Sequence, residues 1–187
     1  MKPQLRLSTG QKIKSPNNHK TRPTTSLVRE ALLNIIGKQL INKSWLDLFS
    51  GSGVISCEAL IKGANKVVAI ESDRKTYQTC KENMILISSK RTRTVEFKSI
   101  NCEVIKWLKG GHSNHTKKLK EFIPNEGFDF IYIDPPYEEK LYSKVLEELI
   151  SGNWVKSESL VICESSTKSD LEISKEWFVK DKKTYGR

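Results

Sequence analysis

Short β-branched or aromatic runs alternate with helical patterns along most of this chain, and that alternation leaves few architectures open. Trp45 to Phe49 is an apolar run ending in Gly51-Ser52-Gly53, and Val54 to Ile61 then carries helical spacing up to Gly63. Val67 to Ile70 is a second strand that closes on Glu71, and Asp73 is placed to cap a helix running to about Ile87. Val95 to Ile100, Phe128 to Ile133 and Leu160 to Cys163 read as further strands, with Trp177 to Val179 expected as another. Helices are expected from Leu27 to Ile36, stopped by Gly37, from Glu103 to Leu108 and from Leu141 to Ile150. Gly111 to Gly127 is expected as a polar, lysine-rich loop insertion. Such alternation builds βαβ units: an α/β fold with a mostly parallel sheet and helices on both faces. Sheets of this kind bind ligands beyond the carboxyl ends of their strands, which is where the glycines and acids of this chain fall.

The 187 residues suffice for one domain with a substantial core. Residues 1–21 are expected as a basic arm or weak hairpin outside that core, and residues 22–187 as the domain itself. No stretch approaches the roughly 20 apolar residues of a membrane span, and the basic amino terminus has no apolar signal segment. A cytoplasmic location and no membrane partner are therefore expected; a monomer is also expected.

Charge narrows the partners. The net charge is +10, and from Met1 to Lys43 nine basic residues face the single acid Glu30. A polyanion is attracted to such an end by Coulomb forces and counterion release, so a nucleic acid is the favoured partner over a merely solvated tail. Lys12, Lys14, Lys20, Arg22 and Thr24 are the candidate contacts. Cys57, Cys80, Cys102 and Cys163 contain no C-x-x-C pair, which argues against a zinc ribbon or a disulfide framework. His112 and His115 form an H-x-x-H without a nearby cysteine, read as plain surface rather than metal ligands, so no metal is expected.

Two motifs carry chemistry. Asp47-Leu-Phe-Ser-Gly51-Ser-Gly53 follows a strand and opens a helix, and a side chain at Gly51 or Gly53 would keep a ligand from approaching the backbone. A dinucleotide fingerprint would want a third glycine where Ser56 stands, and Asp47 would repel a pyrophosphate. An aminoacyl group bearing an ammonium and a sulfonium tolerates that carboxylate, and Glu71 is placed to accept from two ribose hydroxyls. S-adenosylmethionine suits this set better than NAD. Asn101 follows the third strand of the sheet, where it faces an adenine amine or caps a helix.

Asp134-Pro135-Pro136-Tyr137 is the sharper signal. Two successive prolines cannot sit in a central strand, so the chain turns out of the sheet at Asp134, with a carboxylate and the Pro135 carbonyl as neighbouring acceptors. Two acceptors gripping the two N–H groups of an exocyclic aromatic amine stabilise the positive charge that grows there as it attacks a methyl group. Tyr137 offers a ring for a base to stack on, and a base held this way has left its own stack.

With both motifs in view the chain resembles the class I S-adenosylmethionine-dependent methyltransferases, and more closely the RsmD family. The residues that carry this likeness are Arg22-Pro-Thr24, Val28-Arg-Glu30 with Asn34, Asp47 to Gly53, Asp134 to Tyr137, and Glu164-Ser165. The resemblance implies a Rossmann-like sheet and methyl transfer to the N2 amine of a guanine in small-subunit (16S) ribosomal RNA, with the RNA or the small subunit as partner. Asp47, Phe49, Gly51, Gly53, Glu71 and Asn101 would then line the cofactor pocket, Asp134, Pro135, Pro136 and Tyr137 would hold the base, and Arg22 and Thr24 would flank the mouth. Against the family pattern, the 111–127 segment is long, and the last antiparallel strand is expected to be missing. Competing readings are an adenine-N6 methyltransferase on DNA or RNA, a non-catalytic RNA-binding assembly factor, a protein-glutamine methyltransferase, and an NAD-dependent oxidoreductase.

Overall fold

The computed structural model describes residues 5–15, 26–91, 94–136, 139–166 and 171–185. A small antiparallel hairpin, β1 (Leu5–Arg6) and β2 (Lys12–Ile13), precedes helix α1 (Ser26–Ile36). The chain then alternates β3 (Ser44–Leu48), α2 (Val54–Lys62), β4 (Lys66–Glu71), α3 (Arg74–Ser88) and β5 (Glu96–Asn101). It continues through α4 (Val104–Lys109), α5 (His112–Leu119), β6 (Phe128–Ile133), α6 (Glu139–Ser151) and β7 (Val155–Cys163). Strands β3 to β7 form a five-stranded sheet in the order β5-β4-β3-β6-β7, and every neighbouring pair is parallel. This is the mostly parallel α/β architecture that the alternation foretold. Strand order reverses between β3 and β6, so the crevice opens at their carboxyl ends.

Alternate residues of the central strands serve two separate cores. Trp45, Val67, Ala69, Phe130 and Tyr132 face the side covered by α1, α2 and α3. Leu46, Leu48, Val68, Ile70, Ile131 and Ile133 face the α4 and α6 side. Both faces are covered, which is why these strands read as nearly continuous apolar runs. Each large side chain removed from water here contributes roughly 1.5–3 kcal/mol. At the amino edge of the sheet, Asp129 of β6 accepts from the Ser44 N–H and hydroxyl at 2.9 and 2.7 Å and pairs with Lys156 at 2.8 Å, aligning β3, β6 and β7.

Three sequence expectations need correction. The hairpin is not outside the core: Leu7 and Ile13 are buried in the α1–α3 side, because Arg29 and Glu58 below supply partners for its backbone. Gly37 ends α1 where expected, and a 3-10 turn over Gly37–Leu40 follows. The 111–127 segment is not a plain loop: it contains α5, whose inward face carries His112 and His115 beside Leu119. His112 is buried edge-on to Trp154 with its Nε2 2.7 Å from the Pro124 carbonyl, and His115 Nε2 lies 3.0 Å from the Trp107 carbonyl. Trp177 to Val179 is not a strand. A turn closed by Trp177 N–H to the Ser174 carbonyl tucks Trp177 against the α6 side and leaves Phe178 and Val179 exposed. Strand propensity acts only through a paired neighbour. Among the described residues β7 ends the sheet, and no antiparallel strand follows it.

Candidate active site

The turn after β3 is built from three left-handed backbone positions, Phe49 (φ +67°), Gly51 (φ +54°) and Gly53 (φ +75°). For Phe49 that conformation is strained, at about 1–3 kcal/mol, and it is held by the Ser50 N–H bonding the Ile70 carbonyl at 2.9 Å while the ring packs on the α6 side. The two glycines do different work. A Cβ at Gly51 would meet no atom within 4 Å, so that position faces open crevice. A Cβ at Gly53 would lie 2.6 Å from Cys80 Sγ, so the close approach of α3 requires glycine there.

Asp47, at the end of β3, is 1% exposed. Ser56 of α2 donates its hydroxyl to Asp47 Oδ2 at 2.5 Å, while Oδ1 is buried with no hydrogen-bond partner. Burial pushes the Asp47 pKa up to about 7; hydrogen bonds from the Ser56 hydroxyl and backbone N–H oppose the rise, and the nearby charges of Asp134 and Glu71 add to it. An unsatisfied buried acceptor beside an open crevice fits an ammonium donor, which is the group an aminoacyl cofactor would bring.

Glu71 ends β4. Its Oε2 accepts from the Gly51 N–H at 2.9 Å and its Oε1 from the Asp73 N–H at 2.8 Å, fastening the glycine turn to the next loop. Partial burial raises its pKa, against the pull of those backbone donors. Its carboxylate still has lone pairs for two hydroxyls. Asn101, at the end of β5, donates both amide hydrogens, to the Glu71 and Ser72 carbonyls at 2.9 and 2.8 Å. It is not a helix cap; Glu103 caps α4 by accepting from the Ile105 and Lys106 N–H groups. The strand ends thus bring Asp47, Gly51, Glu71 and Asn101 along one edge, a set that fits the aminoacyl and ribose ends of S-adenosylmethionine.

β6 delivers the second motif to the same edge. Leu48 pairs with Ile133, so Asp134 leaves the sheet directly beside the glycine turn, and its charge is felt at Asp47. Asp134 is partly buried and Pro135 buried. Tyr137 lies outside the described residues, as do Lys20, Arg22 and Thr24 of the expected nucleic-acid mouth. Behind the turn, the Glu164 N–H donates to the Ile133 carbonyl at 2.9 Å. The Tyr142 hydroxyl donates to the Glu164 carbonyl, and the Tyr132 hydroxyl to its carboxylate. Burial, and after it the charge of Asp134, holds the Tyr142 hydroxyl well above its ordinary pKa. Lys12 is exposed, and Lys14 reaches Glu82 Oε2 at 2.7 Å across the surface. Burial pushes the Cys80 thiol up to about 12 and the Cys163 thiol up to about 11, so both stay protonated near neutral pH.

Sequence reasoning missed Ser56, Tyr132 and Tyr142 as parts of this site. Ser56 was visible only as a departure from a glycine fingerprint. The others carry no local signal, since their partners are distant in sequence. A surface hollow lined by His112, Ser113, Thr116, Lys117 and Asn125 lies at the opposite, amino edge of the sheet and takes no part here.

Comparison with known proteins identifies the family and the fold. The family model described as conserved hypothetical protein 95 matches residues 7–187. The chain is 32% identical over 174 residues to ribosomal RNA small subunit methyltransferase D of Buchnera aphidicola subsp. Acyrthosiphon pisum, covering 93% of this chain and 82% of the relative. The Escherichia coli (strain K12) protein of the same name is 26% identical over 179 residues, covering 95% and 81%. Among solved structures, a putative methyltransferase from Escherichia coli superposes with a TM-score of 0.75 at 24% identity, covering 98% of this chain and 93% of that one. A putative methylase from Haemophilus influenzae gives a TM-score of 0.73 at 24% identity, covering 98% and 94%. These two structures speak to the fold.

Proposed function

The chain belongs to the ribosomal RNA small subunit methyltransferase D family, and from that premise we propose that it is a methyltransferase of small-subunit ribosomal RNA acting on the N2 amine of a guanine. The observation that carries the reading is the buried Asp47 Oδ1 without a partner, beside an open Gly51 and the start of Asp134-Pro-Pro-Tyr137. S-adenosylmethionine, when bound, supplies an electrophilic methyl group. Asp47 would hold its ammonium, Glu71 its ribose hydroxyls, and Asn101, with both amide hydrogens engaged, would offer Oδ1 to the adenine amine.

Asp134 and the Pro135 carbonyl would accept from the two N–H groups of the target amine. The lone pair of such an amine is delocalised into the ring, and paired acceptors favour a tetrahedral nitrogen that frees it. Positive charge on that nitrogen would develop next to a carboxylate, so the acceptors would stabilise the transition state more than the ground state. Asp134, or water, takes the released proton. Tyr137 would stack on the extruded base, and Lys12, Lys14, Lys20, Arg22 and Thr24 would guide the phosphates of the RNA into the mouth.

Labelled S-adenosylmethionine with small ribosomal subunits from cells lacking the protein tests this reading. Wild-type protein should label the RNA, Asp134→Ala should lower the rate at least about a hundredfold, and nucleoside analysis should return N2-methylguanosine. Labelling that survives Asp134→Ala removes the mechanism. N6-methyladenosine in its place transfers the same mechanism to a different amine.

A further inference from the structure

Asn83 lies in α3, 1% exposed, and its side-chain amide makes three hydrogen bonds. Oδ1 accepts from the Lys14 backbone N–H at 2.8 Å, and Nδ2 donates to the Lys14 carbonyl at 2.9 Å, so the pair closes a ring like one rung of an antiparallel ladder. Nδ2 also donates to the Ser52 carbonyl at 2.9 Å. Ser52 stands between Gly51 and Gly53, so one buried amide joins the end of the basic hairpin to the middle of the glycine turn. At its other end the hairpin is clamped to α2. Ser8 donates its N–H and hydroxyl to the Glu58 carboxylate at 2.7 and 2.6 Å, while Arg29 pairs with Glu58 at 3.3 Å and donates to the Arg6 carbonyl at 2.6 Å. Beyond Lys14 the chain runs on toward Lys20, Arg22 and Thr24.

We propose that Asn83 is a positioning residue that couples cofactor binding to nucleic-acid binding. The idea rests on the function proposed above for what each site takes. A primary amide carries its two donors at a fixed angle, so Asn83 keeps both bonds only when the glycine turn and the hairpin hold one relative placement. A cofactor seated against Gly51 fixes the Ser52 carbonyl and, through Asn83, the hairpin exit. RNA held by the hairpin fixes the turn in return, and the two effects are equal by linkage. Such coupling needs no movement of Asp134 or of the base pocket.

The experiment measures the Kd of small ribosomal subunits, from cells lacking the protein, with and without saturating S-adenosylhomocysteine. Wild-type protein should bind the subunits about fivefold or more tightly with the nucleoside present. In Asn83→Ala, both ligands should still bind, with that ratio close to one. A ratio near one in the wild type, or an unchanged ratio in the variant, overturns the coupling and leaves the methyltransferase reading standing. Failure of wild-type protein to bind S-adenosylhomocysteine removes both. Hydrogen exchange on the wild type needs no variant to fold: the nucleoside alone should slow exchange at the Leu7, Gly10 and Lys14 amides. Unchanged exchange there also overturns the coupling.

Discussion

Asp47→Asn isolates the electrostatics of the crevice. The carboxyl is buried with one oxygen unpartnered, and its pKa rises from 3.8 to about 7, burial being the main cause. Between these two values the folded protein keeps a proton that the unfolded chain has released, so stability falls as pH rises. The slope approaches about 1.4 kcal/mol per pH unit, and over roughly three units the loss reaches about 4 kcal/mol. It is complete above the folded pKa and absent below the unfolded one. Asparagine does not titrate, so the variant lacks this component while the other ionising groups remain. Urea unfolding of both proteins from about pH 5 to about pH 8 gives a difference curve in which those other groups largely cancel. The wild type should lose stability relative to the variant up to about pH 7 and then run parallel to it. A ligand ammonium needs the ionised carboxylate, so wild-type affinity for S-adenosylhomocysteine should climb toward tenfold per unit below about pH 7 and level off above it. A flat difference curve together with pH-independent binding would refute the placement of a buried acid at the ammonium site.

The two turn glycines should separate in their response to alanine. Gly53→Ala forces a Cβ onto Cys80 and should cost about 2–4 kcal/mol of stability by urea unfolding, from left-handed strain plus overpacking. Gly51→Ala should cost only about 1–2 kcal/mol yet weaken S-adenosylhomocysteine binding at least about tenfold by calorimetry. Glu58→Ala strands the buried Arg29 guanidinium and should lower stability by about 3–5 kcal/mol, seen as a large drop in Tm, with Glu58→Gln intermediate. Trp154→Ala removes a fully buried ring stacked on Trp107 and the indole bond to the Leu108 carbonyl. About 3–5 kcal/mol of stability should go with it, while the turnover of the folded fraction stays unchanged because this cluster sits at the amino edge.

Features that depend on near neighbours in the chain were legible without coordinates. The central strands were found because burial on both faces demands an unbroken apolar run, as in Phe128 to Ile133. The cap at Asp73, the stop at Gly63 and the exit at Asp134-Pro-Pro are backbone constraints written in single residues. The two acidic motifs were visible for the same reason, and strand order then set them side by side. Where the inward face used unfamiliar residues, as with His112 and His115 of α5, a polar stretch concealed a helix. Trp177 to Val179 erred the other way, since strand-forming side chains without a partner strand form a turn.

Identity and spacing were enough to place Asp47, Glu71 and Asp134 at strand ends, which the sheet then brings to one edge. They could not tell that Asp47 would be left with an unpaired oxygen, that Gly53 answers to Cys80, or that Asn83 would bridge Lys14 and Ser52. Those properties arise from groups tens of residues apart brought within about 3 Å. Burial and hydrogen-bond partnership belong to the packed chain, and they exist only once helices have closed over both faces of the sheet.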